Sequence, residues 1–359
     1  MAKGFPVNSY TVKILGRAVS AGNILWLTHS GSGIQFNTVA KAVAITLAGD
    51  ETAVPDEQVK GEESRARYAV LLDGKVIASG LMKSREQRII VFGEKFVRQA
   101  KVSVIKLSES RRSFLGIKNI ITDDGSFVTP EVRQDLSIEF IGDSITCGYG
   151  VEAKSADEPF STLTENVCKS YAWLCAKQLN ADASFVCYSS YGVVSGWTES
   201  GAKDEVRILP KVYEQVAFCD NSKILKGKPW NFNAANSDIV VINLGTNDFS
   251  YTRDQSSLTH EFYEAYLGFI GSVREKNPNA HIVCCLGIMQ EGDSLFDEVV
   301  NAVNFYMKDS KDRKIYTYHF NPVPESEGAA IGNHPSAMTH ARCAGELASF
   351  IKTQVLKIS

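Results

Sequence analysis

Residues 137–150 read SIEFIGDSITCGYG. An apolar run stops abruptly at Gly142-Asp143-Ser144, and glycines return at positions 148 and 150. A short apolar run bounded by turn residues reads as a buried strand, and its neighbours decide the kind of sheet it enters. Downstream, KSYAWLCAKQLN (169–180) sets Tyr171, Leu174, Cys175 and Leu179 on one helical stripe, and ASFVCYSSYG (183–192) is strand-like again. DIVVINLGTND (238–248), HIVCCLGIM (281–289) and KIYTYHF (314–320) continue the strands. Between and after them lie helical stretches at 257–278, 297–309 and 334–357. The first of these stops at Asn277-Pro278, where proline discourages continuation. Strands alternating with helices predict parallel crossovers and an α/β sheet with helices on both faces. Ligands of such sheets sit at the carboxyl ends of the strands.

Upstream the pattern differs. NILWLTH (23–29), KAVAITLAG (41–49), RYAVLLDGKVIASG (67–80), QRIIVFG (87–93) and KVSVIKL (101–107) are β-like runs separated by turn residues. Asp73-Gly74 between apolar runs is a hairpin signal. The expected organisation is an all-β sandwich or jelly roll over 1–110, a linker over 111–135 with turn chemistry at DDGS (123–126), and an α/β domain over 136–359.

The 359 residues carry a net charge of −3, so no basic face is available for a nucleic-acid backbone. No run of about 18 apolar residues suggests a membrane span, and the N-terminus shows no apolar core of a secretory signal. All eight cysteines lie at or after position 147, without a C-x-x-C pair, and the six histidines are scattered. No metal site or other cofactor is expected from that spacing, and a reducing cytoplasm is the expected location. Homo-oligomerisation stays open.

Four polar clusters fall at strand ends. Ser144 follows the first strand, where the N–H groups of a starting helix favour negative charge, as attack by a nucleophile requires; a plain helix cap would look the same. Gly192 allows close backbone approach and an N–H donor, or is a simple turn glycine. Asn247, in Gly245-Thr246-Asn247-Asp248, offers an amide donor to an oxyanion, with Asp248 able to fix the loop; Asn and Asp also favour ordinary turns. His334 stands just before Pro335 at the start of the last helix, suited to act as general base, or is a solvated loop histidine. His340 lies inside that helix, as a packing or capping residue.

Serine, glycine, asparagine and histidine in chain order, each on a loop after a strand, resemble the SGNH (GDSL-type) hydrolase superfamily. The matching blocks are GDS with Ser144, YG with Gly192, GTND with Asn247 and HP with His334. The resemblance implies a flavodoxin-like α/β/α sandwich and ester hydrolysis through an acyl-enzyme. A β domain placed before such a hydrolase is similar to carbohydrate esterase family two, with THSGSGIQF (28–36), LLDGKVI (71–77) and VSVIKLSES (102–110) resembling its jelly-roll domain. That family implies removal of acetyl groups from plant polysaccharides such as acetylated xylan, xylo- or manno-oligosaccharides. It also implies a small domain resembling a carbohydrate-binding module. Ser144 would be the nucleophile and His334 the base. The N–H groups of Ser144 and Gly192 and the Asn247 amide would form the oxyanion hole, each donor contributing about 3 kcal/mol.

Many superfamily members place an aspartate two or three residues before the histidine, where this chain has Gly332 and Ile331. A Ser–His dyad, its histidine oriented by a main-chain carbonyl as in some family-two esterases, is therefore expected. The alternative is Glu325 or Glu327 folding back. Trp197 and Trp230 are candidates for stacking on sugar rings, or core residues. Two other functions compete: an esterase or thioesterase on small acyl or lipid substrates, and a non-catalytic carbohydrate-binding protein.

Overall fold

The computed structural model describes residues 2–54, 64–234, 236–289, 293–321 and 323–358. The chain divides into two units. One comprises Met1–Arg133, Phe160–Glu165 and Gln215–Lys228; the other comprises Gln134–Pro159, Asn166–Glu214 and Pro229–Ser359. The later chain is thus not one contiguous domain from residue 136, because two of its segments belong to the first unit.

The first unit is one large antiparallel sheet of ten strands. They are β1 (Ala2–Phe5), β2 (Lys13–Leu15), β3 (Ala18–Ala21), β4 (Ile24–Leu27), β5 (Gly33–Gly49), β6 (Arg67–Leu72), β7 (Lys75–Leu81), β8 (Glu86–Lys106), β9 (Leu115–Asp123) and β10 (Phe127–Pro130). The order is β3-β4-β9-β5-β8-β6-β7, with β1 on β9 and both β2 and β10 on β5. Two bulges in the β5–β8 pairing curl the sheet. They also change which side chains face inward. In the core cluster β5 contributes Ile34, Phe36 and Ala40 before the first bulge and Val43, Ile45 and Leu47 beyond it, a switch from even to odd positions. These pack with Val102, Val104, Leu115, Ile117 and Ile120.

Bulges account for two departures from the expected elements, one in the β5–β8 pairing and one in the β5–β9 pairing. QRIIVFG and KVSVIKL are the ends of one 21-residue strand, β8, whose pairing jumps from Gly93↔Ala42 to Arg98↔Ala40. The residues between break the apolar pattern into two runs. The supposed linker contains β9, hydrogen-bonded to β1, β4 and β5. Thr46 pairs with Asn119 and Leu47 with Ile117, which leaves Lys118 as an extra residue. Ile117 and Ile120 are both buried although three positions apart, so the period-2 signal of a strand is lost. The Asp73-Gly74 hairpin forms as expected: Leu72 pairs with Lys75, and both turn residues have positive φ, 49° and 81°.

The second unit is a five-stranded parallel sheet of β11 (Leu136–Gly142), β12 (Ala181–Cys187), β13 (Ile239–Asn243), β14 (His281–Leu286) and β15 (Ile315–His319). Its order is β12-β11-β13-β14-β15, the 2-1-3-4-5 order of flavodoxin-like folds. The helices are α1 (Ser144–Cys147), α2 (Tyr171–Gln178), α3 (Thr246–Thr252), α4 (Ser256–Lys276), α5 (Phe296–Ser310) and α6 (Ala337–Phe350). Ile239 and Val241 of β13 join a core cluster with Ala172 and Cys175 of α2 and Ala344 and Leu347 of α6. Val240 and Ile242 point to the opposite face and are fully buried there. That face belongs to α4 and α5, whose buried stripes are Phe262, Tyr266, Ile270 and Val273, and Val299, Ala302 and Val303. Both faces are covered, which is why the strands read as nearly continuous apolar runs. Strand order reverses between β11 and β13, so a crevice opens at their carboxyl ends. Ser144 follows one of these strands and Asn247 the other. Among the described residues, no helix is long and apolar enough to cross a membrane.

Candidate active site

The turn after β11 is shaped by its small residue and its acid. A Cβ on Gly142 would lie 2.1 Å from Thr146 Oγ1, so only glycine lets α1 fold back over the strand end. Asp143 caps α1, its Oδ1 accepting from the Ile145 N–H at 2.9 Å. Ser144 opens the helix, 7% exposed, and its N–H belongs to the first turn, where helical donors lack intrahelical acceptors. Gly148 closes α1 in the left-handed conformation (φ 74°).

His334 arrives from the far end of the chain. Its Nε2 lies 2.8 Å from Ser144 Oγ, and its Nδ1 lies 2.8 Å from the Ile331 carbonyl oxygen. A carbonyl can only accept, so the hydrogen-bond network assigns the proton to Nδ1 and leaves the Nε2 lone pair facing the serine hydroxyl. The intervening backbone makes this contact by turning left-handed twice, at Gly332 (φ 57°) and Asn333 (φ 62°). The same Ile331 carbonyl also accepts from the His334 N–H at 3.2 Å. Tyr149 stacks on the imidazole with ring centroids 4.5 Å apart.

The two glutamates considered for the third position differ. Arg342 donates from Nε to Glu327 Oε1 at 2.7 Å and holds that carboxyl below its ordinary range. Glu325 borders a cavity beside His334. His340 is buried, and its Nδ1 accepts the Tyr171 N–H at 3.1 Å, the first N–H of α2. Burial, and then the neighbouring His334, push its imidazole down to about 3, so it is a neutral cap.

Asn247 and Gly192 complete the strand-end set. Asn247 Nδ2 donates to Asp143 Oδ2 at 3.1 Å and to the Tyr191 carbonyl at 3.0 Å, so the amide is held directly beside the residue preceding Ser144. Asp248 fixes the loop, as its position suggested: its Oδ1 accepts from the N–H groups of Val193, Val194 and Ser195 at 2.9, 2.7 and 3.0 Å. A Cβ on Gly192 would meet Ser195 O at 2.0 Å and both Asp248 oxygens at 2.7 Å. Glycine is therefore required there for space. Its N–H differs from the expected oxyanion donor, because it donates to the Arg207 carbonyl at 3.2 Å while Leu209 N–H returns to Gly192 O at 2.9 Å. Burial pushes the Asp143 carboxyl up to about 7, with Asp248 adding to it, and burial pushes Asp248 up to about 6.

Ser144, His334 and Asn247 are thus brought to one place, with Gly192 packed behind the loop. Gly142 was legible in the sequence as the glycine of the turn before Ser144, whereas Tyr149 was not singled out. Gly142 carries a local signal, the glycine before a capping acid. Tyr149 carries none, because its partner is brought next to it only by the fold.

The chain from 140 to 342 matches the model of the GDSL-like Lipase/Acylhydrolase family. It is 36% identical over 227 residues to Cellulase/esterase CelE of Acetivibrio thermocellus, which covers 62% of this chain and 26% of CelE. The chain therefore spans about a quarter of that relative's length. It is 23% identical over 321 residues to an acetylxylan esterase / glucomannan deacetylase of Cellvibrio japonicus, covering 89% of this chain and 83% of the relative. Among solved structures it is similar to a family two carbohydrate esterase from Clostridium thermocellum in complex with cellohexaose (TM-score 0.82, 26% identity, 96% and 98% of the two chains). The acetyl xylan esterase Est2A from the rumen bacterium Butyrivibrio proteoclasticus shares the fold (TM-score 0.86, 21% identity, 100% and 99%).

Proposed function

Because the chain belongs to the GDSL-like lipase/acylhydrolase family and is an esterase, we propose that it removes O-acetyl groups from sugars derived from plant polysaccharides, such as acetylated xylan and xylo- or manno-oligosaccharides, through a Ser–His dyad. The reading is supported most by one observation: His334 Nε2 is 2.8 Å from Ser144 Oγ while its Nδ1 is held by the Ile331 carbonyl at 2.8 Å.

In this mechanism His334 Nε2 takes the hydroxyl proton as Ser144 Oγ attacks the acetyl carbonyl carbon. Charge develops on the carbonyl oxygen, where the Ser144 N–H and the Asn247 amide are the donors. Both Asn247 amide hydrogens already have acceptors, so an oxyanion must share or displace one of them. Gly192 contributes by leaving room for Asp248 rather than by its N–H. As the tetrahedral intermediate collapses, the carbon–oxygen bond to the sugar breaks and His334 returns the proton to the departing alkoxide. Water, activated by the same Nε2, then hydrolyses the acetyl-serine. The Ile331 carbonyl fixes the tautomer but carries no full charge to stabilise the imidazolium.

The decisive experiment is acetate release from acetylated xylan and from 4-nitrophenyl acetate, compared with Ser144→Ala. A fall of about 10⁴-fold or more is expected on both esters, since losing a nucleophile leaves only the binding and oxyanion contributions. Equal activity of the two proteins would remove the serine mechanism. Butyrate or longer esters turning over faster than acetate would favour a lipid esterase or thioesterase instead. We also place the reaction in the cytoplasm, which suits the unlinked, buried thiols of Cys175, Cys284, Cys285 and Cys343. Activity confined to the extracellular fraction of the native cell would contradict that location.

A further inference from the structure

Beside His334 lies a cavity of about 460 Å³, within the range of small-ligand sites. Its walls include Ile288 and Met289 after β14, Val323, Pro324 and Glu325 on the loop after β15, and His334 itself. Among the described residues of the lining, Glu325 is the one ionisable residue apart from His334. The neighbouring acid, Glu327, is engaged by Arg342, whereas the Glu325 carboxylate has no hydrogen bond or ion pair among the described residues. A carboxylate is an acceptor only, so Glu325 offers free acceptor oxygens to hydroxyl donors in an otherwise largely apolar recess.

The chemistry of the dyad gives this recess an occupant. The proton that His334 receives from Ser144 must pass from Nε2 to the oxygen that leaves, so the departing group has to lie against the imidazole. The oxyanion donors occupy another flank, at the ends of β11 and β13, and the cavity opens after β14 and β15. We propose that this cavity is the leaving-group subsite, that it receives the sugar bearing the acetyl ester, and that Glu325 accepts hydrogen bonds from the hydroxyls of that sugar and so sets specificity for polyhydroxylated alcohols. This rests on the esterase mechanism given above. A carboxylate that binds the leaving sugar acts on polyol esters alone, whereas one that orients His334 acts on every ester.

The test compares Glu325→Gln with the unchanged protein on an acetylated xylo-oligosaccharide and on 4-nitrophenyl acetate, whose leaving group has no vicinal hydroxyls. The expected result is a fall of about tenfold in the ratio of kcat/KM for the sugar ester to that for the aryl ester, carried by KM for the sugar, as loss of a charged hydrogen bond implies. Glu325→Asp is expected to restore part of the ratio. An unchanged ratio would overturn the assignment. So would an equal fall of kcat on both esters, which would place Glu325 behind His334. Ser144→Ala separates the two layers: activity surviving that substitution would refute the serine mechanism, whereas an unaltered ratio in Glu325→Gln would refute only the subsite.

Discussion

The two sides of the Ser144–His334 hydrogen bond are built by different means. On the serine side, carboxylates do the positioning: Asp143 caps α1 and accepts from Asn247, and Asp248 gathers three N–H groups of the 193–195 loop. On the histidine side, the described contacts to the ring nitrogen and ring face are a main-chain carbonyl and an aromatic ring, while Glu327 is turned toward Arg342. Acids can serve as scaffold on the first side because burial and hydrogen bonds hold them in place. On the second side, backbone geometry supplies an acceptor with no ionisation of its own.

That difference makes the serine side the more sensitive to substitution. Asn247→Ala removes an amide donor and is expected to lower kcat by about 10²–10³-fold, measured on 4-nitrophenyl acetate; a change of less than fivefold would take Asn247 out of the oxyanion site. Asp248→Ala leaves three buried N–H groups without their acceptor and is expected to cost about 3 kcal/mol or more of stability in chemical denaturation. A loss under 1 kcal/mol would mean the loop is held by other contacts.

Asp143 adds a pH dependence with a definite sign. The folded protein keeps its proton up to about pH 7, while the unfolded chain releases it near the ordinary value of 3.8. The folded state therefore binds more protons in that window, so this group's contribution to stability declines as pH rises from about 4 to about 7, by at most about 1.4 kcal/mol per unit. Asp143→Asn is expected to flatten the stability profile across that interval; an unaltered slope would show that Asp143 is ionised throughout. The smallest effect belongs to the other side. Glu327→Gln weakens the Arg342 pair and is expected to leave kcat within about twofold, and a loss near 10⁴-fold, as for a triad acid, would put a carboxylate behind His334 after all.

Much of this was legible from residue order. GDS and GTND each ended a strand pattern, HP stood at the start of the last helix, and the Asp73-Gly74 turn and the helix stop at Asn277 were local signals that the structure repeats. What stayed hidden depended on register or on distant partners. β9 could not be read because Lys118, the bulge residue, separates two inward-facing isoleucines by an odd interval. The fate of the Gly192 N–H depended on Arg207, fifteen residues away on a segment with no strand signal. The stacking of Tyr149 on His334 depended on a contact made across nearly the whole α/β unit. Single turns are encoded locally, whereas which donor is left over depends on everything that folds around it.

The Ile331 carbonyl has a consequence for inheritance as well as for chemistry. The group that steadies the imidazole is part of a peptide bond, so no codon specifies it and no exchange of one side chain for another deletes it. Point substitutions reach it only indirectly, through the conformational freedom of residues 332 and 333, whose φ angles are both positive. The sensitive codon is the glycine at 332, where an added Cβ would strain the turn that presents the carbonyl.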